Sequence, residues 1–359
     1  MPLNPNKYCV WFFPVGKGIK GGDAILIELY DTDNNPYVFL IDGGYKETGK
    51  TIADFLKKRY VKPTICMMIN THPDLDHLSG LKTILEDEDV KIKEIIMNRP
   101  WRDGGLKPKH FKDKRITPNS LAERLRDSFS MADDIEYLAE HRKIKIRHTW
   151  KDDSLIPGVL TILGPSKSFY QKHLLASDKT PETWIEEWNK PYVKTIMAED
   201  DYDPADGKIE WFDEENTSEV NQTSLIILLE IGDEKFLFTG DAGKEALEEA
   251  FNQYETLNGK NSLNDFTTVQ LPHHGSRKNV NPELLKRLKP RRFIISCPPE
   301  GEKEGHPSRR LINKLLEINS KSRIFVTKEH RFVFHKGVKI NASQQTPQGV
   351  HRKMDGKAQ

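Results

Sequence analysis

The amino-acid sequence predicts an α/β protein built from two packed β-sheets with helices on their outer faces. The chain has two similar halves, and each half contains a hairpin, a helix and further strands. Histidines and carboxylates also recur at or just beyond the ends of the predicted strands. Because α/β proteins place functional sites on loops at one edge of a sheet, we expect these side chains to converge.

The first half begins with an apolar segment and a glycine-rich loop. Its predicted elements are a strand, that loop, a hairpin, a helix and a strand, at residues 8–13, 16–23, 24–29 with 37–41, about 50–59, and 64–70. No Gly-Lys-Ser/Thr follows the loop and the next element is a strand, so a phosphate-binding P-loop is only weakly indicated. The hairpin ends at Asp42.

The second half follows a stretch in which regular patterns are sparser. The predicted elements are strand 90–97, a basic helical stretch over about 99–150, edge strand 143–147, strand 160–165, hairpin 225–231 with 236–241, helix about 244–253, strand 267–271, helix 282–288, strand 292–296, helix 308–317 and strand 323–326. Residues 166–219 are acidic and rich in aromatics, and we expect an insertion or lid there, with a partly disordered surface loop as the alternative. Residues 341–359 are expected to form a flexible tail.

Composition places the chain among soluble globular proteins. Its 359 residues are 36% hydrophobic and 30% charged, and no apolar run approaches the length of a membrane span. The N-terminus lacks a signal-peptide pattern, and three widely spaced cysteines do not imply disulfides, so a cytoplasmic location without membrane attachment is expected. Residues 196–265 are strongly acidic and 271–359 strongly basic. The basic part can attract phosphates or can neutralise the acidic part, and both interpretations stay open.

The most informative stretch is the motif His72-x-Asp74-x-Asp76-His77, which lies between a predicted strand and a predicted helix. Two imidazoles and two carboxylates within six positions converge on the same loop. Carboxylate and neutral imidazole are the usual ligands of zinc, manganese and iron, so a divalent cation is the simplest explanation. The alternative is a polar loop that caps the following helix.

Several motifs together resemble the metallo-β-lactamase fold, and more closely the soluble metallo-β-lactamase-like domain of ComEC-type DNA-uptake proteins. The motifs are Gly22-Asp23-Ala24, Ile41-Asp42-Gly43-Gly44, Thr71–His77, Asn221-x-x-Ser224, Thr239-Gly240-Asp241, His273-His274-Gly275-Ser276 and Gly305-His306-Pro307-Ser308. The resemblance covers about 8–98, 155–165 and 220–327. It implies a four-layer αβ/βα sandwich over residues 1–340, with insertions at about 99–154 and 166–219.

The resemblance also implies a ligand set for one or two divalent metal ions, zinc or manganese, with magnesium as a further candidate. The implied ligands are His72, Asp74, Asp76, His77, Asp241 and His274. Asp241 is expected to bridge two ions, and His274 is preferred over His273 as a ligand. For His273, a supporting or proton-handling role and a purely structural role stay open.

Other residues are expected to assist these ligands. The residues expected to orient the ligands by hydrogen bonds are Asp42, Asn221, Ser224 and Ser276. Those expected to take part in catalysis are Asp76, His306 and His273. Those expected to contact phosphate are Lys278, Arg291 and Arg292. His306 is expected to protonate the leaving oxygen or bind a phosphate, with a place beside a helix cap as the alternative.

The motif departs from the commoner family pattern His-x-His-x-Asp-His, because Asp74 replaces one imidazole. His148 and His173 are poor candidates for a further missing histidine, since neither follows the expected glycine-rich turn. Fewer nitrogens and more carboxylates shift the expected preference toward Mn²⁺ or Mg²⁺ relative to Zn²⁺, and one position is expected to be weakly filled.

The function expected from this reasoning is metal-dependent hydrolysis, with DNA or another phosphodiester as substrate. Bound metals lower the pKa of water and neutralise charge on a phosphoryl oxygen. A protein partner from a defence or DNA-processing system is a further expectation. The alternatives are a small-molecule hydrolase acting on a cyclic nucleotide, lactone or thioester, and a non-catalytic subunit of a larger assembly.

Overall fold

Two β-sheets pack face to face in the computed structural model of the protein, which describes residues 2–184, 211, 216–301 and 306–340. Helices cover the outer face of each sheet, so the described residues form four layers in the order helices, sheet, sheet, helices. This is the architecture predicted from the sequence. No helix within the described ranges combines the length and the apolar character needed to span a bilayer.

The first sheet contains eight strands. These are β1 (Leu3–Phe12), β2 (Ile25–Asp31), β3 (Pro36–Ile41), β4 (Thr64–Ile69), β5 (Lys91–Ile92), β6 (Glu94–Ile96), β7 (Lys145–Arg147) and β15 (Phe332–Lys336). Their order is β15-β1-β2-β3-β4-β6-β7, and β5 pairs with the start of β4. The pairs from β15 to β3 are antiparallel, whereas the pairs from β3 to β7 are parallel.

The second sheet contains seven strands. These are β8 (Ser154–Ile156), β9 (Leu160–Gly164), β10 (Ile226–Ile231), β11 (Glu234–Phe238), β12 (Thr268–Gln270), β13 (Arg292–Ile295) and β14 (Arg323–Val326). Their order is β14-β13-β12-β11-β10-β9-β8. The strands from β11 to β14 run parallel, so their carboxyl ends meet at one edge of the sheet.

The helices divide between the two outer faces. They are α1 (Lys46–Arg59), α2 (Leu75–Glu86), α3 (Pro118–Ser128), α4 (Ser130–His141), α5 (Lys167–Ala176), α6 (Glu219–Gln222), α7 (Lys244–Asn258), α8 (Pro282–Lys286) and α9 (Arg309–Ile318). Buried side chains of α1 to α6 pack on the first sheet, and those of α7 to α9 pack on the second.

Strand periodicity explains how each sheet serves two cores. Ile27 and Phe39 lie in the core between the sheets, whereas Leu26 and Leu40 pack under the helices. Successive side chains of a strand point to opposite faces, so an unbroken apolar run can fill both layers. The sheets meet through aromatic contacts such as Phe12 with Phe238, whose ring centroids are 6.1 Å apart.

Most predicted strands are confirmed, but several elements differ from the sequence prediction. The predicted strand 90–97 is interrupted at Lys93, which separates β5 from β6. Helix α5 occupies the start of the predicted irregular segment, with Ser166 as its N-cap. That cap and the i, i+4 pair Tyr170 and Leu174 were a usable helix signal.

Strand β15 was missed altogether. It pairs antiparallel with β1 at the opposite end of the chain, where Phe332 lies opposite Phe12. A short segment among charged residues gives little local signal, and its pairing partner becomes visible only when the termini meet. The predicted tail from 341 and most of the predicted aromatic lid lie outside the described residues. The predicted domain extent of 1–340 stays a prediction.

Candidate metal centre

Histidines and carboxylates from both sheets meet at the edge where the parallel strands end. Asp42 follows β3, residues 72–77 follow β4, Asp241 follows β11, and His273 and His274 follow β12. The convergence follows from topology, because the carboxyl ends of neighbouring parallel strands lie side by side. The packed sheets then bring the two edges together.

The turn between β4 and α2 directs its carboxylates toward this site. Asp74 holds the N-cap position of α2, but its side chain makes no capping hydrogen bond. Its Oδ2 lies instead 3.6 Å from His72 Nε2. Leaving an N-cap unused costs a helix about 1 kcal/mol, so this local preference has been overridden by the site. Asp76 and His77 follow in the first helical turn.

Asp241 lies between two groups of potential ligands. Its Oδ1 lies 3.4 Å from His77 Nε2, and the ligand atoms of Asp76, His77, Asp241 and His274 all lie within 4.8 Å of one another. We call Asp76, His77 and His274 the first group. They approach each other closely, with His274 Nε2 3.3 Å from Asp76 Oδ2.

The other oxygen of Asp241 faces a different set of side chains. Its Oδ2 lies 3.7 Å from His72 Nε2 and 3.7 Å from His273 Nε2. We call His72, Asp74 and His273 the second group. The buried carboxylate of Asp241 thus lies between the first group and the pair His72 and His273, and Asp74 joins that pair through its contact with His72.

The donor atoms of the site fit a divalent cation. Within the described part of the chain, His72 Nε2, His77 Nε2 and Asp241 Oδ1 are buried without a hydrogen-bond partner. Each such atom costs about 1–3 kcal/mol, and a structure retains several together only for a reason. Imidazole nitrogens and carboxylate oxygens are the ligands that zinc and manganese accept. The site can therefore hold a metal, although its donors alone do not identify the ion.

Electrostatics favour positive charge at the same place. Burial raises the pKa of Asp241, but the nearby His273 and His77 outweigh it and hold that pKa well below its usual range. Burial lowers the pKa of His274, whereas Asp241 and Asp76 raise it, with a net result of about 9. The carboxylates thus need a compensating positive charge, which a divalent cation supplies.

Both carboxylate oxygens of Asp42 make hydrogen bonds that orient the site. Its Oδ1 accepts hydrogen bonds from Asn70 Nδ2 at 3.2 Å and from the Thr71 backbone N–H at 2.8 Å. Its Oδ2 accepts from Thr71 Oγ1 at 2.6 Å and lies 2.8 Å from His77 Nδ1. Because the His77 Nδ1–H donates to Asp42, the Nε2 lone pair of His77 faces Asp241.

The structure also brings Asp23 to this place, which sequence reasoning used only as part of a motif. Asp23 lies with Asp42 and His77 in a group of buried ligand-type side chains. Only 1% of Asp23 is exposed, and burial raises its pKa although His77 and His274 act in the opposite direction. The motif Gly22-Asp23 just before a buried strand was the available signal.

The residues predicted to support the ligands take distinct positions. Ser224 Oγ accepts a hydrogen bond from the Asp241 backbone N–H at 3.3 Å. Asn221 Nδ2 lies 3.4 Å from His273 Nδ1. Ser276 Oγ accepts from the Lys278 backbone N–H at 3.3 Å and so shapes the turn after the histidines.

His306 lies beside both adjacent histidines. Its ring centroid is 5.4 Å from that of His273 and 6.2 Å from that of His274. Burial, reinforced by these two imidazoles, lowers the pKa of His306 to about 3. The ring can therefore offer a neutral hydrogen bond to a substrate oxygen.

Two of the three predicted phosphate contacts lie elsewhere. Arg291 and Arg292 pair with Glu234 at the starts of β13 and β11, at the opposite edge of the second sheet. A basic pair next to a strand in sequence can lie at either of its ends, and here it lies at the start of β13. Lys278 does lie near the site, where its charge helps to lower the pKa of His306.

The glycine-rich loop 16–22 occupies the position that those arginines were expected to fill. A Cβ on Gly21 would lie 3.2 Å from the His274 ring, and a Cβ on Gly22 would lie 2.3 Å from the backbone oxygen of Asp76. The exposed ammonium groups of Lys17 and Lys20 make no ion pair with any side chain that the structure describes. The sequence showed both lysines, but without the P-loop pattern they gave no functional signal.

A four-layer αβ/βα fold with histidines and aspartates gathered at one edge defines a class of metal-dependent hydrolases. The chain belongs to the metallo-beta-lactamase superfamily, whose family model matches residues 20–298.

The individual proteins that this chain resembles share little sequence identity with it. The chain is 27% identical over 100 residues to ComE operon protein 3 of Bacillus subtilis (strain 168), a match that covers 28% of this chain and 12% of that protein. The chain thus spans only a small part of this relative. A metallo hydrolase from Ignicoccus hospitalis aligns over 91% of this chain and 98% of its own, with 10% identity and a TM-score of 0.40. A long form RNase Z from yeast aligns over 81% of this chain and 37% of its own, with 11% identity and a TM-score of 0.35.

Proposed function

We propose that this protein is a metal-dependent phosphodiesterase that cleaves DNA. The observation that carries the proposal is the position of Asp241 between two groups of ligand-type side chains. Paired divalent cations supply, when bound, an acidified water as nucleophile and compensation for charge on both the attacking and leaving oxygens of a phosphoryl group. A phosphodiester uses both contributions, which favours it over substrates with less charge to neutralise.

The side chains of this protein have separate tasks in that reaction. His77, His274 and Asp76 on one side of Asp241, and His72 and Asp74 on the other, would hold the cations. Asp42 fixes the ring of His77 by the hydrogen bond to its Nδ1. His306, beside the histidines, donates a hydrogen bond to an oxygen of the scissile phosphate. The motif resemblance to the ComEC-type domain supports DNA as the polymer.

The test is cleavage of labelled linear and circular DNA, and of bis(p-nitrophenyl) phosphate, by protein titrated with Mn²⁺, Mg²⁺ or Zn²⁺. We expect metal-dependent cleavage that Asp76→Ala removes and that Asp233→Ala, on an exposed turn, leaves unchanged. Cleavage of the circular substrate would distinguish an endonuclease from an exonuclease. Failure of folded, metal-loaded protein to cleave any phosphodiester would contradict the proposal and point to an ester or thioester.

Polymeric DNA needs contacts beyond the scissile phosphate, and loop 16–22 offers them. The loop is hydrogen-bonded to the segment 297–301, because the Glu300 backbone N–H donates to Gly18 O at 2.8 Å. Loop 16–22, which carries Lys17 and Lys20, therefore lies beside the metal centre, with Gly21 next to His274 and Gly22 next to Asp76. Lysines so placed can bind the phosphates on either side of the cleaved bond.

Replacing Lys17 and Lys20 together by alanine should weaken DNA binding and leave turnover of bis(p-nitrophenyl) phosphate unchanged. Each phosphate contact contributes about 0.7 to 0.9 to the slope of log affinity against log salt concentration, so the slope should fall by roughly 1.4 to 1.8. Fluorescence anisotropy in Ca²⁺ measures the slope.

The matched control is Lys58→Ala with Lys62→Ala. These two lysines are equally exposed but precede β4, at the opposite edge of the first sheet. An equal loss of slope in both double variants would show that the effect is one of net charge and not of loop 16–22.

A further inference from the structure

We propose that His273 is a metal ligand, and that it completes a second cation site with His72, Asp74 and Asp241. The inference rests on the metal centre of the proposed function, but it is independent of the substrate. The sequence motifs favoured His274 as the ligand and left His273 between a supporting and a structural role. The geometry points to both histidines as ligands, each on a different side of Asp241.

The first reason is the direction of the ring. His273 Nε2 lies 3.7 Å from Asp241 Oδ2, the same distance that separates His72 Nε2 from this oxygen. Asp74 Oδ2 lies 3.6 Å from His72 Nε2. These separations are too long for strong hydrogen bonds, and they suit donor atoms that share a cation with bonds of about 2.0–2.2 Å.

The second reason is the tautomer of His273, which Asn279 determines. Asn279 Nδ2 donates to the backbone oxygens of Asp241 at 2.8 Å and Ala242 at 3.3 Å. The amide orientation is therefore fixed, and Asn279 Oδ1 faces His273 Nδ1 at 3.1 Å. Asn221 Nδ2 also faces His273 Nδ1, but at the longer distance of 3.4 Å, and it donates to Thr217 Oγ1 at 2.8 Å. Because the nearer amide oxygen of Asn279 can only accept, Nδ1 carries the proton and Nε2 keeps the lone pair that a metal requires.

The third reason is the backbone that presents the ring. His273 and His274 both have left-handed conformations, with φ values of +47° and +56°. A residue other than glycine in this region costs on the order of 1–3 kcal/mol, and such costs concentrate at functional sites. A left-handed conformation at both residues places two consecutive rings on opposite sides of Asp241, which a single ligand histidine would not need.

The consequence is that the two sites have matched donor sets. The first comprises His77, His274 and Asp76, the second His72, His273 and Asp74, and both share Asp241. Each cation is therefore offered two imidazoles and two carboxylates. This revises the sequence-based expectation of a nitrogen-poor, weakly filled position, and it favours Mn²⁺ or Zn²⁺ over Mg²⁺ at both sites.

The test is the number of metal ions bound, measured without reference to activity. The protein is stripped with a chelator, reloaded with Mn²⁺, and examined by calorimetric titration and elemental analysis. We expect two equivalents in the unmodified protein and one tight equivalent in His273→Ala, with the second at least about 100-fold weaker. The electron paramagnetic resonance signal of coupled Mn²⁺ pairs should disappear in the variant.

Two further variants keep the test decisive. His330→Ala removes an exposed histidine outside the site and should retain two equivalents. Asn279→Ala removes the acceptor that fixes the tautomer of His273 and should weaken binding of the second equivalent about 10- to 100-fold. This variant tests the inference if His273→Ala does not fold.

Two equivalents of unchanged affinity in folded His273→Ala would overturn the inference, as would one equivalent in the unmodified protein. A single-metal protein that still cleaves DNA would overturn this inference and the paired-cation arrangement, and only the phosphodiesterase activity itself would stand. Two equivalents that depend on His273, in a protein that cleaves no phosphodiester, would support this inference and contradict the proposed function.

Discussion

Asn in place of Asp241 is expected to abolish tight metal binding and to reduce DNA cleavage by roughly a thousandfold. Among the residues that the structure describes, Asp241 is the carboxylate that faces both ligand groups, and 2% of its side chain is exposed. Metal ions contribute several kcal/mol of transition-state stabilisation, and each tenfold in rate corresponds to about 1.4 kcal/mol. Loss of this carboxylate would remove one ligand from each proposed site and the charge that balances the surrounding imidazoles.

Elemental analysis of metal content and initial cleavage rates measure this effect. Asp233→Asn is the matched control, since it makes the same chemical change at a side chain that is 90% exposed. Circular dichroism should show that Asp241→Asn remains folded. Full metal content with normal cleavage in that variant would contradict the assignment of Asp241 as the shared ligand.

The second large effect is expected on stability, at a buried carboxylate that has no role in the metal centre. Glu28 is fully buried in β2 and accepts hydrogen bonds from Trp11 Nε1 and Arg59 Nη2, each at 3.0 Å, and from the hydroxyl of Tyr60. It thereby ties β1 and β2 to the end of α1. Removal of one partner of a buried ion pair leaves an uncompensated charge and typically costs about 3–5 kcal/mol.

We therefore expect Glu28→Ala to lower the free energy of unfolding by about 3–5 kcal/mol, because Arg59 would remain without its partner. Denaturant titration followed by tryptophan fluorescence and by circular dichroism measures the change. Glu88→Ala, at an exposed position, should alter it by less than about 0.5 kcal/mol. A similar small change in both variants would show that water or another group replaces Glu28 at no cost.

The fold could be predicted from the sequence to a large extent because its signals are local. Apolar runs ending in Asp42, in the motif after β4, or in Asp241 indicate strands whose ends carry ligands, and the resemblance supplied their arrangement. The motif residues His72 to His77 lie within one turn, so chain connectivity alone holds them together. The resemblance, and not connectivity, implied Asp241 and His274 as their partners.

Only the tertiary structure decided which other side chains join them. Lys17 and Lys20 carry the same charge as Arg291 and Arg292, but the first pair lies at the carboxyl edge of the sheets and the second pair at the opposite edge. Sequence composition cannot distinguish the two edges of a sheet. The edge at which a residue lies depends on the direction of its strand in the sheet. That direction is set by packing between distant segments.

The role of His273 is the clearest case of this limit. In the sequence it is one of two adjacent histidines, and either one can be the ligand. The backbone is left-handed at both residues, and Asn279 Oδ1 faces His273 Nδ1, whereas Ser296 O faces His274 Nδ1. His273 Nε2 then lies 3.7 Å from Asp241 Oδ2, and His274 Nε2 lies 3.3 Å from Asp76 Oδ2. Sequence alone determined which chemical groups this protein would bring together. The folded chain determined their directions, because a lone pair is aimed by hydrogen bonds and dihedral angles that no local pattern specifies.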